Sequence, residues 1–198
     1  MKKTLYPKTQ RINRKELTSI ITEKLDGSNI GFFRLNDDLI IAQRNHIHKL
    51  SEIHTIGGLY KGLKGWLEKY GEDFKNSLNE GSGVFGEWIG MGRLKYPHLD
   101  KRLYLFAKAN IDENLDVKNI HYNIDFLIYP FTEQIIPEYI GVVPVVKRTA
   151  DKVTIPYLDD LYNEYEPDRD VEGFIVNTHN NIVKYVRMKN GGLEDHRG

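Results

Sequence analysis

The sequence predicts an α+β fold made mainly of antiparallel sheet. Three observations carry this: many short β-branched runs between turn residues, only two stretches with helical periodicity, and no regular alternation of strand and helix. Leu17 to Glu23 is apolar and β-branched, as a buried strand is. Asn29 to Leu35 and Leu39 to Arg44 are the next two strands, and Asn36-Asp37-Asp38 between them is a turn signal that makes a hairpin. Leu59, Leu63, Trp66, Leu67, Tyr70, Phe74 and Leu78 recur three and four apart, which is one apolar stripe of a helix bounded by Gly57-Gly58 and Gly81. Val84 to Gly90 and Leu103 to Ile111 read as strands around a polar loop, Gly92 to Arg102. From Val117 to Val153 the prolines at 130, 137 and 144 interrupt any pattern. Leu158, Leu161, Tyr162 and Tyr165 predict a short helix over Ile155 to Tyr165. Val171 to Thr178 and Ile182 to Met188 close the chain as a hairpin around His179-Asn180-Asn181.

At 198 residues the chain has the length of one domain. Forty percent apolar and 11% aromatic residues exclude a disordered chain. Twenty-eight basic and 28 acidic residues cancel, which excludes a generally basic nucleic-acid coat but leaves room for local patches. The absence of cysteine removes disulfides, cysteine-held zinc, iron–sulfur clusters and thiol nucleophiles together. No run approaches the roughly 18 apolar residues of a membrane span, and the N-terminus lacks the apolar stretch of a signal peptide, so a cytoplasmic protein is expected. That N-terminus is instead basic: Lys2, Lys3, Lys8, Arg11, Arg14 and Lys15 precede the first acid, Glu16, as in an arm that touches phosphates.

Two patterns mislead. Gly81 to Gly86 matches GxGxxG, but a helix precedes it and a strand follows, the reverse of a dinucleotide-binding turn. His46 and His48 alternate onto one strand face with His54 beyond, a set without a placed carboxylate that reads as a polar rim.

The segment that carries chemistry is Glu23-Lys24-Leu25-Asp26-Gly27-Ser28-Asn29. A lysine leaves an apolar strand, and a glycine three residues on permits a tight turn close to a ligand. Lysine is a nucleophile only as the neutral amine, against a reference pKa of about 10.4, and burial or a nearby cation favours that form. Lys24 to Asn29 resembles motif I, KxDG, of the covalent nucleotidyltransferases, which comprise DNA ligases, RNA ligases and capping enzymes. The rest follows in the family's order. Arg44-Asn45 resembles the short motif after the nucleophile, Phe85-Gly86-Glu87 motif III, and Leu103 to Phe106 the aromatic strand of motif IIIa. Glu172-Gly173 with its apolar strand resembles motif IV, and Val183 to Arg187 motif V. The resemblance is nearest to phage-type RNA ligases, because motif I ends in Asn29 where DNA ligases and capping enzymes usually have arginine.

The resemblance implies antiparallel sheets forming a nucleotide cleft with flanking helices, ATP and Mg²⁺ (or Mn²⁺) as cofactors, and a nucleic acid with 3′-hydroxyl and 5′-phosphate ends, RNA favoured, as partner. It gives Lys24 the role of nucleophile and Lys184 that of holding the α-phosphate. Arg44 would contact phosphate or ribose, Glu87 the ribose hydroxyls, and Phe106 the adenine face, while Glu23 would help fix the base. Glu172 would hold the metal, with Glu87 as a second candidate, and Asn29 would serve the later steps. With about ten residues after Lys189 no OB domain is expected, and with 23 before Lys24 no nicotinamide region, so 1–198 reads as one adenylyltransferase domain. Its own surface, or a protein partner, must then grip the nucleic acid. Candidates are Lys2, Lys3, Arg11 and Arg14 in the arm, and Arg93, Lys95, Lys101 and Arg102, with Tyr96, in the loop. Six phosphate contacts on a duplex would give a log–log salt slope of about −5.

The sequence departs from the family in two places. Motif V commonly has a second lysine two residues on, where Val186 stands here, which leaves Arg187 or Lys189 as the second cation. Motif IIIa often continues into Asp, where Ala107-Lys108 stand here. A minimal DNA-nick ligase and a nucleic-acid-binding module without catalysis are the alternative readings.

Overall fold

The computed structural model describes residues 10–11, 19–165, 170–179, 181–189 and 192–193. In chain order these form β1 (Gln10–Arg11), β2 (Ser19–Glu23), β3 (Ser28–Leu35), β4 (Asp38–Ala42), β5 (Ile47–Lys49), α1 (Leu63–Ser77), β6 (Ser82–Trp88) and β7 (Leu103–Ile111). There follow β8 (Val117–His121), β9 (Gly141–Val142), β10 (Val145–Thr149), α2 (Ile155–Glu164), β11 (Gly173–Thr178), β12 (Asn181–Val186), β13 (Met188–Lys189) and β14 (Gly192–Leu193). This is the expected α+β architecture: nearly all ladders are antiparallel, with β1–β12 and β7–β9 parallel.

The chain packs as two compact units. Of the described residues, those within 27–91 and 101–142 belong to the first, and those within 8–26, 92–100 and 143–198 to the second. The first holds a seven-stranded sheet of order β5-β4-β3-β6-β7-β8, with β9 beside β7. Its central strands are buried on both faces, so alternate residues enter different cores. Ile30 and Phe32 of β3 meet the α1 stripe of Leu63, Trp66, Leu67 and Phe74. Phe33 and Leu35 join Phe85, Ala107 and Ile111 on the opposite face. Trp66 is the hub of the first core: its ring lies 5.9 Å from Phe32, 5.8 Å from Phe74 and 5.7 Å from Trp88. Such pairs contribute about 0.5–1.5 kcal/mol each beyond area burial.

The second unit holds the sheet β1-β12-β11-β2-β10. Ile21, Phe174, Val176 and Tyr185 pack there against Leu158 of α2. Thr154 caps α2 by accepting the Tyr157 N–H.

Three elements differ from expectation. The helix starts at Leu63, not Leu59, because Gly62 sits at φ 79° in the left-handed region that ends any upstream helix. Leu59 and Tyr60 still cover the core, but from a loop. β4 ends at Ala42, so Arg44 lies beyond its ladder, in a turn where the Gln43 N–H donates to the His46 carbonyl. The unpatterned stretch 117–153 supplies β8, β9 and β10, of which β10 completes the second sheet by pairing with β2. Among the described residues no helix is long and apolar enough to cross a membrane.

Candidate active site

β2 delivers Lys24. Its ladder with β11 pairs Glu23 with Phe174, and the Lys24 N–H donates to the Gly173 carbonyl at 2.9 Å. That register sets the residue after β2 beside the residue before β11. Lys24 Nζ lies 2.5 Å from Glu172 Oε2, and the two side chains are 22% and 17% exposed. The nucleophile candidate is therefore withdrawn from bulk solvent and held by the motif IV acid. Burial pushes the Glu172 carboxyl above the usual carboxylate range, while the charges of Lys24 and then Lys184 pull it back. Gly173 explains the Glu-Gly pair: at φ 152° it brings β11 so close to β12 that a Cβ would collide with the Tyr185 carbonyl.

Lys184 lies on β12 opposite Ile175, with its charge felt at Glu172. Arg187 faces elsewhere. Its Nη1 is 3.6 Å from Asp159 Oδ1, and its guanidinium lies 5.7 Å from the Tyr162 ring, both on α2. It follows directly after the end of β12 at Val186. The Lys189 side chain lies outside the described residues. Glu23 is buried, and its Oε2 accepts the Tyr165 hydroxyl at 3.0 Å.

The other candidates gather in the first unit. Glu87 on β6 stands directly opposite Asn29 on β3, and its Oε1 accepts the Gly27 N–H at 3.1 Å. Gly27 is three residues along the chain from Lys24. A Cβ there would come within 2.9 Å of the Glu87 side chain, so the motif glycine is what lets the loop approach this acid. Tyr60 ties in the rest: its hydroxyl donates to the Asn29 carbonyl at 3.1 Å and accepts the Arg44 N–H at 3.1 Å. Gln43 fixes that tyrosine by accepting its N–H at 2.8 Å. Sequence reading missed Tyr60, although the glycines at 57, 58 and 62 mark its loop.

Phe106 is half-buried against the second apolar cluster of this unit. The ladder shifts between Phe85 and Gly86, which pair with Ala107 and Leu105, so Phe106 is the extra residue of a β-bulge, a device that re-aims a side chain.

The loop predicted to grip nucleic acid needs one correction. Tyr96 is buried, its hydroxyl accepting the Asp26 N–H at 2.5 Å, so it offers no surface for a base. Burial in the field of Glu23, Asp26 and Glu172 raises its phenol well above the ordinary value. Arg93 and Lys95 are exposed and Lys101 partly so. Arg102 donates to the Lys61 carbonyl at 3.1 Å and stacks over Trp88 at 5.1 Å. Lys2, Lys3 and Arg14 lie outside the described residues, and of Arg11 only the backbone in β1 is described.

Among the described residues no three His, Asp or Glu side chains converge as a ready-made metal cage. The single acid Glu172 fits the way Mg²⁺ is usually held, by one or two carboxylates together with substrate phosphates.

Fold and motif order define the class: a family model described as RNA ligase matches residues 18–189, and the chain belongs to that family. Among solved structures it is similar to Naegleria gruberi RNA ligase. A variant of that enzyme with ATP and Mn is 16% identical with a TM-score of 0.54, over 91% of this chain and 57% of that one. A second variant, with AMP and Mn, is 15% identical with a TM-score of 0.52, over 91% and 57%. A third, without ligand, is 16% identical with a TM-score of 0.51, over 94% and 58%. The chain thus spans less than two thirds of that ligase, and the likeness is one of fold. No curated protein matches by sequence.

Proposed function

We propose that this chain is an ATP-dependent polynucleotide ligase of the phage RNA-ligase type, working as an adenylyltransferase domain that joins 3′-hydroxyl and 5′-phosphate ends of RNA. The observation that carries this reading is the half-buried pair of Lys24 and Glu172 at 2.5 Å, in a chain whose family is RNA ligase.

In the first step the neutral Lys24 amine attacks the α-phosphorus of ATP. An N–P bond forms, the α–β anhydride breaks, pyrophosphate leaves and the nitrogen gives up its proton. Phosphoryl transfer asks the protein mainly for position and charge neutralisation. Lys184 supports the α-phosphate oxygens, Glu87 accepts the ribose hydroxyls, Arg44 reaches phosphate or ribose, and Phe106 offers a ring to the base. Glu172 would hold Mg²⁺ or Mn²⁺, which would supply charge neutralisation at the phosphate. A Glu172 carboxylate given over to such a cation would release the Lys24 amine. AMP then passes to a 5′-phosphate, and a 3′-hydroxyl displaces it, with Asn29 acting in these steps. Arg93, Lys95 and Lys101 offer charge to the nucleic-acid backbone.

The test is covalent labelling. With α-labelled ATP and Mg²⁺ or Mn²⁺ the protein should retain label after denaturation, and Lys24→Ala should retain none. Absence of label under all conditions would favour a binding module. Nicked duplexes differing at the 3′-hydroxyl side then separate RNA from DNA sealing, and equal sealing of all-DNA nicks overturns the RNA preference.

A further inference from the structure

Residues 92–100 belong to the same compact unit as Lys24, and they are fastened to Asp26, two residues past it. The N–H groups of Arg93 and Leu94 donate to Asp26 Oδ2 at 2.6 and 3.0 Å. The Asp26 N–H in turn donates to the Tyr96 hydroxyl at 2.5 Å. Gly92 packs so tightly that a Cβ there would strike the Asp26 carbonyl oxygen. Tyr96 is 8% exposed, so its hydroxyl takes this N–H where water competes little. On the other side of the nucleophile, the Lys24 N–H is held by the Gly173 carbonyl at 2.9 Å. Between these two anchors stands only Leu25, itself buried. The Lys24 side chain thus leaves a backbone fixed on both sides.

We infer that Tyr96 is a positioning residue for the nucleophile: its buried hydroxyl holds the Lys24–Asp26 backbone so that the amine is presented to the α-phosphorus. The inference rests on the ligase reading proposed above. Tyr96 lies outside every motif by which the sequence resembles its family. It acts through Lys24, and so it matters in the step where Lys24 attacks. It does not act in the last step, where a 3′-hydroxyl attacks an already adenylylated end.

Tyr96→Phe keeps the ring and deletes the hydroxyl, and with it the acceptor of the Asp26 N–H. In single-turnover labelling with α-labelled ATP, its maximal rate should fall by about 10²-fold, the scale of a misplaced reacting atom. The half-saturating ATP concentration should stay within about twofold, the pattern of a lost transition-state contribution. Sealing of a synthetic pre-adenylylated RNA strand to a 3′-hydroxyl acceptor should proceed at the wild-type rate, which also shows that the variant is folded. Gly92→Ala, which forces the same segment away from Asp26, should lower self-adenylylation likewise. Unchanged self-adenylylation overturns the inference. So does equal loss in both reactions, which is what a general structural role would produce. A wild-type protein that takes no label sinks the ligase reading itself, and this inference with it.

Discussion

At Glu87 the carboxylate accepts the Gly27 N–H at 3.1 Å and, in the proposed reaction, the ribose hydroxyls. Two substitutions separate these tasks. Glu87→Gln keeps a carbonyl oxygen for Gly27 but loses the charged acceptor. The ATP concentration for half-maximal labelling should rise about tenfold, near the worth of one hydrogen bond to a charged group. Glu87→Ala also strands the loop N–H, and urea unfolding should show a further loss of about 1–3 kcal/mol. Equal stability of the two variants would show that the Gly27 bond contributes nothing. Single residues were unevenly legible. Lys24, Glu87 and Glu172 declare themselves because motif spacing constrains them. Tyr60 and Tyr96 do not, because each acts through a hydroxyl bonded to backbone far away in the chain, to Asn29 and Asp26.

Two glycines, Gly65 inside α1 and Gly62 at its N-cap, should answer alanine with opposite signs. Gly65 is exposed and helical, and a Cβ there meets nothing within 4 Å. Gly65→Ala should stabilise the protein by up to about 1 kcal/mol through helix propensity. Gly62, at φ 79°, precedes the helix with the Arg102 guanidinium 3.2 Å from a built Cβ. Gly62→Ala should cost about 1–2 kcal/mol from left-handed strain. Urea midpoints check both, and matching signs would contradict this account of the helix start. The stripe spacing located the body of α1 correctly but placed its start one turn early. Leu59 and Tyr60 are apolar because they cover the core from a loop, and periodicity cannot tell a helix from a loop lying on the same surface.

For the molecule as a whole, acid should be destabilising through two histidines. His48 is held below the ordinary imidazole value by burial and then by His46, with Glu52 opposing. His121 is held below it by burial and then by Lys108. Between each lowered folded value and the unfolded value near 6.5, the unfolded chain binds more protons, so stability rises with pH and is lost as pH falls through that window. Tm measured by circular dichroism should drop from about pH 7.5 to about pH 5.5, and the drop should shrink in the double variant His48→Gln/His121→Gln. An unaltered slope in that variant would rule these groups out as its source.

The sequence by itself determined the α+β class, the main strands, the body of α1 and the order of the nucleotidyltransferase motifs. These follow from local periodicity, from turn chemistry and from residues whose spacing a reaction constrains. Only the tertiary structure decided that Lys24 meets Glu172, that Tyr96 turns inward onto Asp26, and that β10, more than a hundred residues from β2, completes its sheet. Such contacts form between segments far apart in the chain, and their energy exists only once the sheets have brought those segments together.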